Sequence, residues 1–424
     1  MFRSCPVLVV LAVLVLVAAP ARADNVTAVL KGTTLTITGS DAADDLTIVN
    51  FLVITGDGDG GRPSGDDVVV VPSKGTEVNG STEPASFSDV KKLKLNLEPG
   101  SDTVLFDGFS FAGQIKVHAD DGEDLVTFTN CNLDDDVKLF GEDNDDTFDF
   151  NDSNLNDALK IIGDTGLLTV TASGSFFEVV TIKAGPGDDV LDWSTSSVNG
   201  NLTANMSLGN DSVVFDQVSI GEDTTFKMSL GNNTLVCGGG TSFGALLTYK
   251  GGIGDDTLAL SDTQVGETMN VKLGPGSNSV TMTSLDSDME VGEQLIIKGG
   301  PGDDSITFTD GLTGAFGVGE GCKLNLVTGV NAVTMTGFTQ IADLSITAGA
   351  LDDTISLDGG EVQDDLKILV AAGNNSITID NTEIIDDLTV TAGSGDDTVT
   401  LGGTTTVGGD QKINLGGGTN IEPP

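Results

Sequence analysis

Apolar residues along this chain fall in pairs spaced two apart, and the pairs return on a fixed period. The clearest register mark is an aspartate or asparagine closing a glycine-rich acidic turn. These anchors are Asp102, Asp124, Asp146, Asp189, Asp211, Asn233, Asp256, Asn278, Asp304, Asn331, Asp353, Asn375, Asp397 and Asn420. Most steps between them are 22 or 23 residues, and the step of 43 spans two periods with one anchor lost near Leu167. Apolar residues follow each anchor at plus two and plus four, as in Ile306 and Phe308 or Val399 and Leu401. A second pair precedes it at minus nine and minus seven, as in Leu344 and Ile346 or Leu388 and Val390. A third apolar point lies near plus nine, as at Phe111, Val198 and Ile384. Period-two pairs are short strands with one face buried. A unit this short cannot bury its apolar face alone and must stack on its neighbours. The chain is therefore expected to be all-β. The fold is a single-stranded parallel β-helix, a solenoid of about 22 residues per coil with three short strands per coil. About seventeen coils at ~4.8 Å spacing would make a rod on the order of 80 Å long.

The ends divide the chain into three parts. Residues 1–23 read as a secretory signal, with Arg3 in a basic start, Val7 to Val17 as the apolar stretch and Ala21-Arg22-Ala23 as an A-x-A cleavage site. Cleavage near Ala23-Asp24 makes the protein secreted, extracellular or held at a cell surface. The apolar run is too short for a comfortable membrane span. Residues 24–89 hold two degenerate coils, with turns at Asp44-Asp45 and Asp66-Asp67, and the loop from Ser73 to Ser86, and read as an N-terminal cap. Residues 90–424 are the regular helix, and Pro423-Pro424 would discourage pairing at its open edge.

Charge narrows the partners. Removing the two arginines of the signal leaves 17 basic against 64 acidic residues, a formal charge of −47, with Arg62 the one remaining arginine. Such a surface repels nucleic acid and anionic lipid, and cations should relieve its self-repulsion. A cell-surface or matrix component is the kind of partner left, without membrane insertion. Cys131, Cys237 and Cys322 occupy different places in their coils, so they read as buried apolar thiols and not as a disulfide framework.

The turns GGIGDDTLA from Gly251 and GGPGDDSIT from Gly299 resemble the haemolysin-type calcium-binding repeat, G-G-x-G-x-D-x-U-x. The stretches from Ala184 and Ala392 match it with the first glycine replaced. The resemblance implies Ca2+ held between stacked coils. Carried over by position, the ligands would be Asp189, Asp256, Asp304 and Asp397, with the carbonyls of Gly187, Gly254, Gly302 and Gly395. The preceding aspartates Asp188, Asp255, Asp303, Asp352 and Asp396, and the anchor Asp353, extend the set. So do Asp102, Asp124 and Asp146, where no asparagine intervenes and cation need is greatest. Calcium takes six to eight hard oxygens from flexible loops, which suits such turns. The family's repeats run in tandem at nine residues, whereas here one turn occurs per 22.

A second reading stands beside the first. From Asp211 to Asn420 the anchors alternate Asp, Asn, Asp, Asn without a break. The anchor shares parity with the inward residues after it. Stacked buried aspartates would repel, and interleaved asparagines supply donors. The column can then close its own hydrogen bonds without metal, as Asn ladders do in stacked sheets.

No nucleophile or metal-hydrolase constellation is visible. Trp193 and Tyr249 fall on inward positions, His118 on an outward one, and one arginine is little for acting on acidic sugars. The function expected is a non-catalytic extracellular structural or adhesive solenoid, calcium-stabilised if the turns bind. A polysaccharide-active β-helix enzyme is the alternative. A third reading comes from hydroxyl residues at plus one and plus three, such as Ser305 and Thr307 or Thr398 and Thr400. Their flat array resembles the face of ice-binding solenoids.

Overall fold

The computed structural model describes residues 24–49, 67–73, 75–311 and 314–421. The signal segment, Arg62, Asp66 and Pro423-Pro424 lie outside the described residues. Within them the chain is a parallel β-solenoid without helices.

One coil shows how the pattern becomes structure. After the turn Gly251–Asp256, side 1 is the strand Thr257–Ser261, with Leu258 and Leu260 buried and Thr257 and Ala259 facing out. Side 2 is two residues long, Gln264–Val265, and buries Val265. Side 3 is Met269–Gly274, burying Met269, Val271 and Leu273. The side 1 strand pairs in parallel with Thr234–Gly238 before it and Ser279–Ser284 after it, residue on residue. Alternation of side chains puts every second residue inside, so each coil contributes three inward stretches to one continuous core.

Among the described residues side 1 recurs fifteen times, from Asp45–Val49 to Thr398–Gly402, against the seventeen coils expected. One missing coil is at the N-terminus, and the other is that of Asn420, after which no side 1 strand follows among the described residues. Asp45–Val49 stacks in parallel on Thr103–Asp107, and Thr34–Thr38 on Lys92–Asn96, so the Asp44 turn belongs to a true coil. Val68–Pro72, after Asp67, instead pairs antiparallel with Asp45–Val49, and Ala85–Phe87 pairs antiparallel with it. Asp24–Lys31 also runs antiparallel to Thr34–Thr38. An antiparallel strand cannot pass on the coil register, so these strands finish the end of the tube.

Inside, aromatic rings stack along the axis at plus four of side 1. Phe106 lies on Phe128 at 4.5 Å, and Phe128 on Phe150 at 5.2 Å. Ala172 takes the next place, and the row continues with Trp193 and Phe215 at 5.6 Å. The small residue beneath Trp193 gives the indole room in a close-packed interior. Trp193 and Tyr249 are fully buried, as their inward parity required.

Candidate functional site: the corner column

The anchor side chains turn inward at the corner between sides 3 and 1, except that Asn420 in the last coil is only half-buried. Asp44, Asp102, Asp124, Asp146, Asp189, Asp211, Asn233, Asp256, Asn278, Asp304, Asn331, Asp353, Asn375 and Asp397 are all buried. Leu168 fills the place of the lost anchor, and a coil one residue shorter follows it.

The column is wired in one direction. Each anchor's amide donates to Oδ1 of the next anchor: Asp102 to Asp124 at 2.6 Å, Asp211 to Asn233 at 3.0 Å, Asp353 to Asn375 at 3.0 Å. Leu168 donates to Asp189 in the same way, at 2.8 Å. Because leucine offers no acceptor, the Asp146 amide goes instead to the Leu167 carbonyl. Asparagine adds a second bond. The amide nitrogens of Asn233, Asn278, Asn331 and Asn375 donate to Oδ1 of Asp256, Asp304, Asp353 and Asp397 at 2.8–3.0 Å. They also donate to carbonyls of their own turn, as Asn278 does to Gly274 and Gly276. Asp and Asn therefore play unlike parts: asparagine donates forward and closes its turn, while aspartate only accepts.

Aspartate is left with one oxygen over. Oδ2 of Asp124, Asp189, Asp211, Asp256, Asp304, Asp353 and Asp397 is buried without a hydrogen-bond donor. From Asp256 onward the residue five before the anchor follows this difference. It is Gly251, Gly299, Ala348 or Ala392 under aspartate, and Leu273, Leu326, Val370 or Leu415 under asparagine. A Cβ on Gly251 or Gly299 would collide with Oδ2 of Asp256 or Asp304. Desolvation is the chief cause raising the carboxyls of Asp124, Asp146, Asp189, Asp211, Asp256, Asp304 and Asp353. Asp124 is pushed up to about 6, against the lowering effect of the Asp102 amide. Asp189 and Asp211 are each pushed up to about 7. Asp146 goes to about 8: burial leads, the Asp124 amide opposes, and the charges of Asp124, Asp145 and Glu142 add. Asp256, Asp304 and Asp353 are also raised, by burial first, with bonds from the preceding asparagine holding them down.

The aspartates preceding the anchors form a separate, outer column. Asp188, Asp255, Asp303, Asp352 and Asp396 are exposed. Their Oδ1 atoms accept the amide of the equivalent residue one coil later: Asp188 from Asn210, Asp255 from Ser277, Asp303 from Val330, Asp352 from Asn374. Asp396 accepts from Thr419. Two adjacent columns thus cap amides in opposite directions along the rod, one inside and one outside. The carbonyls of Gly187, Gly254, Gly302 and Gly395 abut the turn glycine of the following coil, Gly209, Gly276, Gly329 and Gly418. Among the described residues, one group of three carboxylates has oxygens mutually within 4.8 Å, and it is Asp135, Asp136 and Asp157, not the turn residues.

The opposite corner has its own column, which sequence reasoning missed. The amide of Cys131 donates to Ser153 Oγ, Ser153 to Ser175, and Ser175 to Ser196. Each hydroxyl returns a bond to a backbone carbonyl, as Ser153 does to Asn151 and Phe128. Cys131 is more than an apolar filler, since its thiol points at the carbonyls of Phe106 and Thr129. Burial pushes it up to about 11. Among the described residues Cys131, Cys237 and Cys322 are buried and free. The signal for this column was serine recurring seven residues after the anchor.

Two outward features complete the site survey. The hydroxyl array lies on side 1 in strict register from Ser279–Ser284 through Ser305–Asp310 to Ala332–Thr336. It is broken before these coils by Asp149, Asp192, Val214 and Val236. His118 faces out as expected, and its Nδ1 meets Glu142 Oε1 at 2.7 Å while its ring stacks on Phe140. No family model matches the chain, and neither a curated protein nor a solved structure matches it.

Proposed function

We propose that this chain is an extracellular structural or adhesive rod without catalytic activity, stiffened by a corner column that closes most of its own hydrogen bonds. The observation carrying this reading is the Asp/Asn division of labour. Four asparagines each donate to the aspartate one coil on, at 2.8–3.0 Å, inside a corner shielded from water. Hydrogen bonds to charged groups contribute about 1.5–3 kcal/mol each. One such bond at every second coil would resist bending and slippage between coils. The polysaccharide-active and ice-binding alternatives rest on the fold class and on the hydroxyl array respectively.

A Ca2+-stabilised form of the same rod is the second reading, and the buried Oδ2 atoms without donors favour it. Thermal unfolding in millimolar calcium and in excess chelator tests it. A midpoint that ignores calcium removes the metal and leaves the self-closed ladder. A rise with calcium that survives D188N and D255N but is lost in D256N and D304N assigns the ion to the inner column. Small-angle scattering tests the rod itself, because fifteen coils at ~4.8 Å require a particle roughly 70 Å long. A globular scattering profile would sink the structural reading.

A further inference from the structure

The chain holds 16 lysines against 64 acidic residues, and the lysines are not scattered. Lys94, Lys116, Lys138 and Lys160 lie on four successive side 3 strands at one register position, each directly over the last. Four more, Lys227, Lys250, Lys272 and Lys298, repeat the arrangement further along the same sheet, two residues to one side. Lys183 lies between the two runs. Like charges stacked in register destabilise a sheet, so folding alone gives no reason for the row. Among the described residues, Lys138 alone of the first four has a carboxylate within 4.0 Å, Asp136 at 2.6 Å.

The first run carries further chemistry. Phe140 is a half-exposed ring on the same outward face, with the Lys116 ammonium 4.8 Å from its centroid and His118 stacked on it at 4.7 Å. Acceptors border the row on both sides. The corner positions Glu98, Asp120, Glu142 and Asp164 recur along one edge, and Asp136 and Gln114 stand at the other.

We propose that this lysine row is a docking track for a linear acidic polysaccharide of the polyuronate class, which deepens the adhesive reading and rests on it. The row is one lysine wide, with one cation per coil at ~4.8 Å, about the length of one hexose unit. A narrow polymer with one carboxylate per unit matches that spacing along the rod. The bordering carboxylates and amides accept hydrogen bonds from sugar hydroxyls, and they repel a polymer whose charges spread widely, such as a nucleic acid. Phe140, half-exposed beside Lys116 and His118, adds apolar contact area for a sugar ring. The formal −47 does not forbid this, because at physiological ionic strength charges beyond ~8 Å are largely screened while the row acts at contact.

The test is titration calorimetry with polygalacturonate oligomers at 0.1 M salt, with dextran and oligo-thymidylate as comparison probes. The wild-type chain should bind polygalacturonate and neither comparison polymer. K116Q/K138Q/K160Q should weaken binding about tenfold or more, as expected when several cation–anion contacts are removed. K323Q/K367Q/K412Q changes net charge equally but alters lysines of the same sheet that have no lysine paired beside them on the adjacent coil, and should leave affinity within about twofold. Circular dichroism confirms that both triples are folded. The proposal is overturned by a wild-type chain that ignores polygalacturonate, by equal loss in both triples, or by equal binding of oligo-thymidylate. It is also overturned if the row triple only abolishes self-association in sedimentation. Failure on any of these leaves the rod itself to be judged by its scattering length.

Discussion

At the scale of a residue, the corner column turns on one atom, nitrogen or oxygen, at the end of a short side chain. Asn331 donates to Asp353 and to the Gly329 carbonyl, while accepting the Asp304 amide. N331D would remove both donors and place three buried carboxylates in succession. We expect a loss of about 3 kcal/mol at pH 7 by urea denaturation, the scale for an uncompensated buried charge, and a smaller loss at pH 4. The reverse change, D146N, should be neutral or stabilising above pH 7. The carboxyls of Asp124, Asp146, Asp189 and Asp211 sit above their ordinary value, so the native state binds more protons than the unfolded chain. Their protonated forms favour folding, and that contribution is full below the unfolded value near 3.8. It is lost as pH rises through the folded values of about 6 to about 8. The melting temperature should therefore fall between pH 4 and pH 8. D146N/D189N/D211N should flatten that fall, whereas D188N/D255N/D303N, equal in charge but exposed, should not. Equal flattening by both sets would assign the slope to surface repulsion instead.

At the scale of the coil, backbone packing sets tighter limits than side-chain chemistry. Gly302 sits at φ +133° with the Gly276 carbonyl where a Cβ would go. G302A should cost roughly 2 kcal/mol or more, combining a disfavoured backbone angle with a collision against rigid backbone. In the opposite corner, S153A leaves the Cys131 amide without its buried acceptor. A penalty of about 1–3 kcal/mol is expected from chemical denaturation. C131S should be nearly neutral, since the column prefers a hydroxyl there. A large loss on C131S would show that the site needs apolar volume and not a donor.

At the scale of the molecule, each coil touches only its neighbours, so stability is close to a sum of coil and interface contributions. Amide exchange should be slowest in the middle coils and faster toward Thr398–Gly402, whose inward Leu401 is only partly buried. The N-terminal end should exchange more slowly than the C-terminal one, because antiparallel strands cover its last parallel coil. Uniform protection along the rod would mean that the array unfolds as one unit. The outer surface is uneven by side: the hydroxyl array lies on the later coils of side 1, the stacked lysines lie on side 3, and carboxylates recur at the corners.

Much of this was legible in the chain itself. Strand parity has period two and each coil repeats after 22 residues, so inward positions, turn positions and the Asp/Asn alternation follow from counting. Ile306 and Phe308 are placed inside by parity alone, whereas for Asp304 parity left an internal ladder and a calcium turn side by side. Parity could not place the stacked partners. Whether an anchor amide bonds the coil before or after it, and that Asp303 does the reverse of Asp304, depends on how one coil sits on the next. The row from Lys94 to Lys160 was present in the sequence every 22 residues, yet it becomes a surface only when parallel pairing sets those residues about 5 Å apart. The first coils were misjudged because a turn rich in aspartate looks the same before a parallel strand as before an antiparallel one. Local chemistry decides that the chain turns before Asp45–Val49; only the contacts that Asp45–Val49 and Val68–Pro72 meet decide that one runs parallel to its neighbour coil and the other antiparallel.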